Sequence, residues 1–91
     1  DDLNDVERDL DRALPWWRRL DDVRQRVLAN MCFNLGITRL LKFARTLDAI
    51  EHDQFTDAAR FMLDSRWAQQ VGQRAIRLAA MMRTGEVPDA G

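Results

Sequence analysis

One cysteine excludes an internal disulfide, so the fold has to stand on packing alone. No apolar run approaches the roughly 20 residues that span a bilayer, and no signal-peptide pattern opens the chain. No segment alternates apolar and polar residues as a strand would. No glycine-rich phosphate loop, internal repeat, low-complexity tract or long linker is visible. The first residue is Asp rather than Met, so residue 1 is expected to be a processing or excision boundary. A net charge of −1 names no partner by itself.

What is present reads as one small all-α domain, a compact bundle of about six helices around a central buried helix. A chain of this size buries somewhat over about 60% of its unfolded surface, enough for one core. Leu3, Val6, Leu10, Ala13 and Leu14 recur at three- and four-residue steps and give a first apolar stripe. Pro15 ends that helix, because the residue before a proline leaves the helical region. Trp16 and Trp17 follow. Neighbours cannot face the same way on a helix, so one is expected to plug the core and the other to cover its edge.

The central helix is expected from about Arg18 to Leu35, with Leu20, Val23, Val27, Leu28, Met31 and Leu35 on its main stripe and Arg24 and Arg26 on its solvated half. From Val27 to Gly36 no residue is charged, in a chain where 32% are. That stretch is expected to be apolar on nearly every side and surrounded by other helices. Gly36 is the expected stop, as a left-handed cap. Thr38 is expected to cap a helix carrying Leu40, Leu41, Ala44, Leu47 and Ile50, with His52 at its end. Thr56 is expected to cap the next, with Phe55 stapled onto it. Ser65 opens a short turn with Arg66 and Trp67. A last helix, Gln73 to Arg83, carries Ala75, Ile76, Ala79, Ala80 and Met82 and stops at Gly85 and Pro88.

Charge is distributed unevenly. Asp1, Asp2, Asp5, Glu7, Asp9 and Asp11 face Arg8 and Arg12 alone in residues 1–14, where a helix start tolerates negative charge. Residues 65–83 hold Arg66, Arg74, Arg77 and Arg83 and no acid. Such an end can meet an anionic polymer, or its last arginines can complement a helix macrodipole. Four arginines in nineteen residues make a thin nucleic-acid footprint, so no nucleic-acid partner is expected.

Catalytic constellations are poor. Glu51, His52 and Asp53 are consecutive and point apart, so they cannot hold a metal together, and His52 is expected to interact with its helix end. Cys32 lies in the most apolar stretch with no base nearby, as an inert thiol. A glycosidase needs two carboxyls flanking the scissile bond, and no Asp or Glu interrupts an apolar stretch to serve as the acid. Polar groups do sit in unusual places: Asn30 and Asn34 in the central helix, then Ser65-Arg66-Trp67 and Gln73-Arg74. Amides and arginines beside aromatics suit hydroxyl-rich ligands. For Asn30 a structural role at a helix packing point is the simpler reading.

At these residues the sequence resembles a known family. Leu20-Asp21-Asp22-Val23-Arg24, Asn30-Met31-Cys32-Phe33-Asn34-Leu35-Gly36, Ser65-Arg66-Trp67, Arg74-Ala75 and Arg83-Thr84-Gly85 resemble the C-terminal lobe of the phage-type (T-even-like) lysozymes, glycoside hydrolase family 24. The resemblance runs without gaps from about Leu20 to Gly85, and residues 1–14 look like the end of the helix joining the family's two lobes. It implies that residues 15–91 form a helical lobe whose parent hydrolyses the β-1,4 MurNAc–GlcNAc bond of peptidoglycan. The family's catalytic Glu, Asp and Thr lie in the other lobe, so no catalytic residue is carried onto this chain.

By resemblance, Phe33 is the cleft aromatic, Asn34 the neighbouring amide and Thr46 a hydroxyl residue lining the cleft. Arg74 is the partner of the missing glutamate, and Trp67 is a core tryptophan. Phe61 stands where the family often has a substrate-binding asparagine, which exchanges a sugar hydrogen bond for stacking. The implied partners are a peptidoglycan strand and an N-terminal catalytic lobe. No cofactor, metal or membrane is implied, and the lobe is expected to be a monomer. The implied location is the host cytoplasm with release to the cell wall, or the virion. The competing reading is a stand-alone, non-catalytic glycan-binding or protein-interaction module.

Overall fold

In the computed structural model, which describes residues 2–88, the side chains of Asp2 and Leu3 lie outside what is described. Seven α-helices and one 3-10 turn follow one another, and no strand occurs among the described residues. They are α1 (Asp2–Ala13), the 3-10 turn Pro15–Arg19, α2 (Asp22–Leu35), α3 (Ile37–Leu40), α4 (Ala44–Glu51), α5 (Phe55–Leu63), α6 (Arg66–Val71) and α7 (Gln73–Thr84).

Val6, Leu10 and Leu14 bury the stripe of α1 against α2, α3 and the 3-10 turn. Pro15 takes the first position of that turn, where its missing N–H costs nothing. The two tryptophans divide as expected. Trp17 is buried and donates from Nε1 to Asp11 Oδ1 at 2.7 Å, while Trp16 packs half-buried on the core's edge. The second half of the domain is built on α5, which packs against α4 and, most extensively, α7. Ala58 and Ala59 on α5 and Ala75 and Ala79 on α7 are all buried. Such small residues allow helix axes to approach at the short end of the usual 8–10 Å. Met62, Met81 and Met82 fill the space around them.

Several expectations need correcting. The 3-10 turn separates from α2, because Asp21 caps α2 by accepting from the Arg24 amide at 3.1 Å. The helix expected from Thr38 is two helices. Thr38 lies inside α3, Phe43 precedes α4, and Leu41 in the turn between them is exposed. Helix α5 starts at Phe55, so Thr56 is within it and caps nothing. Ser65 does cap α6, accepting from the Ala68 amide at 3.1 Å and donating to the Met62 carbonyl at 2.6 Å. On α7 the buried face is Ala75, Leu78, Ala79, Met81 and Met82, and Ile76 is turned out to 55% exposure.

Helix α2 is not buried all round. Val27, Leu28, Met31 and Cys32 are buried, whereas Phe33 is 58% exposed and Asn34 is exposed. At 3.6 residues per turn the four buried residues define one face, and Phe33 falls almost opposite its centre. Gly36 ends α2 at φ 81° and ψ 154°, a region reserved for glycine but distinct from the left-handed helical cap. Its amide still donates to the Cys32 carbonyl at 2.8 Å, and its own carbonyl accepts from Leu40 at 3.0 Å. One strained residue thus closes α2 and opens α3. Gly85 stops α7 as expected, and it is this glycine that adopts the left-handed cap.

Candidate functional site

A groove of about 600 Å³ opens where the end of α2, α3, α4, α5 and α6 meet. Phe43, Phe61 and Trp67 supply its aromatic surface. Trp67 is buried, and Phe43 meets it edge-on with ring centroids 6.3 Å apart. Trp67 Nε1 is the one buried side-chain polar atom among the described residues without an acceptor, in contrast to Trp17. The Ser65 cap fixes the start of α6 and so presents Arg66 and Trp67 to the groove.

Its polar lining is strongly cationic. Arg39, Lys42, Arg45 and Arg66 face a single carboxylate, Asp64, which pairs with Arg45 at 3.0 Å. Arg45 also lies over the Phe61 ring at 4.5 Å, and Arg60 approaches the same ring at 5.3 Å. The stacking expected of Phe61 is therefore already supplied by guanidinium groups, and a sugar would have to displace one of them.

Of the five candidate site residues singled out by resemblance, the structure brings four together as two separate pairs and leaves Phe33 apart. Thr46 and Phe61 line the groove, although Thr46 is only 2% exposed and forms part of its floor. Asn34 and Arg74 meet elsewhere, with Arg74 Nη1 3.5 Å from Asn34 Oδ1, the outer limit of a hydrogen bond. Phe33 is on the surface of α2 and lines neither hollow. Arg74 belongs to a second hollow of about 450 Å³, with Arg26, Asn30, Gln73, Arg77, Leu78, Met81 and Val87. No acid lines it. Asn30 and Asn34 each turn an amide onto the carbonyl four residues earlier, at 3.5 and 3.0 Å. Such back-bonding is a local use of the polar group within a helix.

Arg39, Lys42 and Arg45 carry much of the groove's charge and were not singled out from the sequence. Their three-residue spacing in a run without acids from 37 to 47 was the available signal. Arg24 was expected on a solvated face. Its side chain is 14% exposed and ties α2 to the end of α7.

The remaining titratable groups behave as local structure. His52 caps the end of α4, its Nδ1 2.8 Å from the Asp48 carbonyl and 3.4 Å from the Asp48 carboxylate. Its pKa is raised by that carbonyl and then by the Asp48 charge. Asp48, Glu51 and His52 bring their ligand-type atoms within 4.8 Å of one another on one helix face, a grouping the consecutive Glu51-His52-Asp53 reading did not include. All three are exposed, and the Asp48–His52 pair accounts for their approach. Cys32 is buried, and burial, then the charge of Asp9, pushes its thiol pKa up.

No family model matches the chain. It is 32% identical over 69 residues to probable T4-type lysozyme 1 of Dictyostelium discoideum, covering 76% of this chain and 41% of that protein. Probable T4-type lysozyme 2 of the same organism matches at 32% over 73 residues, 80% of this chain and 43% of its own length. This chain is a relative of the T4-type lysozymes. The pre-baseplate central spike protein Gp5 of Enterobacteria phage T4 is 32% identical over 93 residues, covering 99% of this chain and 16% of that protein. This T4-type lysozyme relative therefore spans about two fifths of the lysozymes it matches and a smaller share of the spike protein. No helix of the described residues is long and apolar enough to cross a membrane.

Proposed function

We propose that this chain is the helical C-terminal lobe of a peptidoglycan-cleaving muramidase, supplying one wall of the glycan cleft and the scaffold behind it. The observation that carries this reading is the groove. It combines ring surfaces at Phe43 and Phe61, with Trp67 buried behind them, and hydroxyl, amide and guanidinium groups at Ser65, Gln70, Arg45 and Arg66, the mixture a polyhydroxylated ligand requires. Kinship with T4-type lysozymes supports assigning that ligand as peptidoglycan.

Glycoside hydrolysis by the usual route needs two carboxyls flanking the scissile bond. The groove has one, Asp64, engaged by Arg45. The acid and the water-activating carboxylate are therefore assigned to a further lobe. Residues 1–14 lead towards it, and Arg74 is poised to pair with its glutamate. A guanidinium beside that glutamate would favour its ionised form and fix its orientation. Phe33 and Asn34 belong to the same boundary between lobes. The match along nearly all of this chain to a phage spike protein supports use by a phage, for lysis or within the virion.

The test is to join the chain to its upstream coding sequence and assay clearing of a peptidoglycan suspension. Clearing is expected from the longer protein, with a Glu, Asp and Thr at the family's spacing upstream. Clearing by residues 1–91 alone would overturn the division of labour.

A further inference from the structure

The groove holds more positive charge than a neutral glycan can use. Of Arg39, Lys42, Arg45 and Arg66, only Arg45 has an acidic partner. Arg39 lies in the last turn of α3 and Lys42 in the turn that follows, both exposed and without an ion pair or side-chain hydrogen bond among the described residues. Like charges gathered around one concavity repel one another and raise the local concentration of anions. The third unpaired cation, Arg66, stands beside Trp67 on α6. The charge thus surrounds the aromatic surface.

We propose that Arg39 and Lys42 are specificity residues that read the free carboxylates of the peptide stems borne by the glycan. This rests on the cleft reading above and adds to it. The sugar rings lie along Phe43, which is backed by the buried Trp67, while a stem leaving the strand crosses the α3–α4 turn. There the planar guanidinium of Arg39 takes a carboxylate through two parallel N–H donors, and the Lys42 ammonium serves as a second point charge. Neither residue takes part in bond cleavage. They select acidic stems over amidated ones and over bare glycan.

The experiment measures binding of the 91-residue chain by co-sedimentation with purified sacculi free of teichoic acids, which removes phosphate as the anion. Three preparations are compared: sacculi with free stem carboxylates, sacculi whose stem carboxylates are amidated, and glycan stripped of stems by an amidase. Binding to the first is expected to be roughly three- to tenfold tighter at low salt, with the advantage shrinking as salt rises. The double variant R39Q/K42Q is expected to lose that preference yet retain binding to stripped glycan. A charge-matched control, R77Q/R83Q, changes residues outside the groove and is expected to keep the preference. Equal binding to all three preparations would overturn the proposal and leave the cleft reading standing. A preference that survives R39Q/K42Q would also overturn it. Failure to bind any preparation would contradict both.

Discussion

Arg24 on α2 closes the end of α7 by donating from Nε to the Met82 carbonyl at 2.6 Å. Its Nη2 donates to the Arg83 carbonyl at 3.0 Å, its Nη1 reaches Asp21 at 3.0 Å, and the guanidinium lies 3.6 Å from the centre of the Phe55 ring. One side chain thus satisfies carbonyls that the last turn of a helix leaves unpaired, while tying α2, α5 and α7 together. Charged hydrogen bonds of this kind contribute about 1.5–3 kcal/mol. Arg24→Ala is expected to lower unfolding stability by about 2–4 kcal/mol in urea titrations. Arg24→Lys should restore only a minor part, since an ammonium cannot serve three directions in one plane. Gly85→Ala should weaken the same device. A Cβ there would stand 2.9 Å from Arg24 Nη1, on a backbone at φ +73°.

The acid limb of the stability profile should report Asp11. Its carboxylate accepts from Arg18 at 2.8 Å and from Trp17 at 2.7 Å, and these bonds, Arg18 first, hold its pKa below the ordinary 3.8. A depressed carboxylate contributes stability that is present above pH 3.8 and lost as pH falls through the lower folded value. His52 has the opposite sign. Its raised pKa contributes below the ordinary 6.5, and the contribution is lost as pH climbs through the higher folded value. The stability gap between the protein and Asp11→Asn should close in acid. The gap to His52→Gln should close in alkali. Urea midpoints across pH check both.

Cys32 should be inert while the protein is folded. It is 3% exposed, among residues that pack α2 against the rest of the core, and its thiol is held protonated by burial. A thiol reagent such as Ellman's is expected to react only after denaturation. Rapid labelling of the native chain would mean that α2 opens far more readily than its packing allows.

Arg74 is expected to act through a carboxylate of the catalytic lobe. In the two-lobe protein, Arg74→Ala should shift the alkaline limb of the pH–rate profile upward, because the general acid would lose a group favouring its ionised form and hold its proton to higher pH. A fall in rate at every pH with an unmoved profile would give Arg74 a purely structural part.

Much of the fold was legible because its signals are local. Pro15, Ser65 and Gly85 each impose a backbone state on their own neighbours, and each ends or starts a helix where expected. The failures were questions of phase and of contact. Ile76 and Leu78 are both apolar and both fit helical stripes, and only the packing of α7 against its neighbouring helices decides that Leu78 is buried. The Val27–Gly36 stretch lacks charge and so reads as surrounded on nearly every side, yet the phase set by Val27, Leu28, Met31 and Cys32 turns Phe33 outward. Thr38 and Thr56 were good cap types at positions already inside helices. For the site, resemblance singled out Thr46 and Phe61, which line one groove. The cations around them come from α3, α4, α6 and the α3–α4 turn, and their convergence depends on how those elements pack.

The cleft claim is tested most directly by mapping where sugar touches this lobe. Backbone amide chemical shifts of the isotope-labelled chain would be followed during titration with an N-acetylglucosamine oligomer, a neutral probe of the aromatic surface. The largest changes are predicted at Phe43, Thr46, Phe61, Ser65 and Trp67, together with a shift of the Trp67 indole N–H. Changes centred on another face, or none at millimolar sugar, would contradict the account.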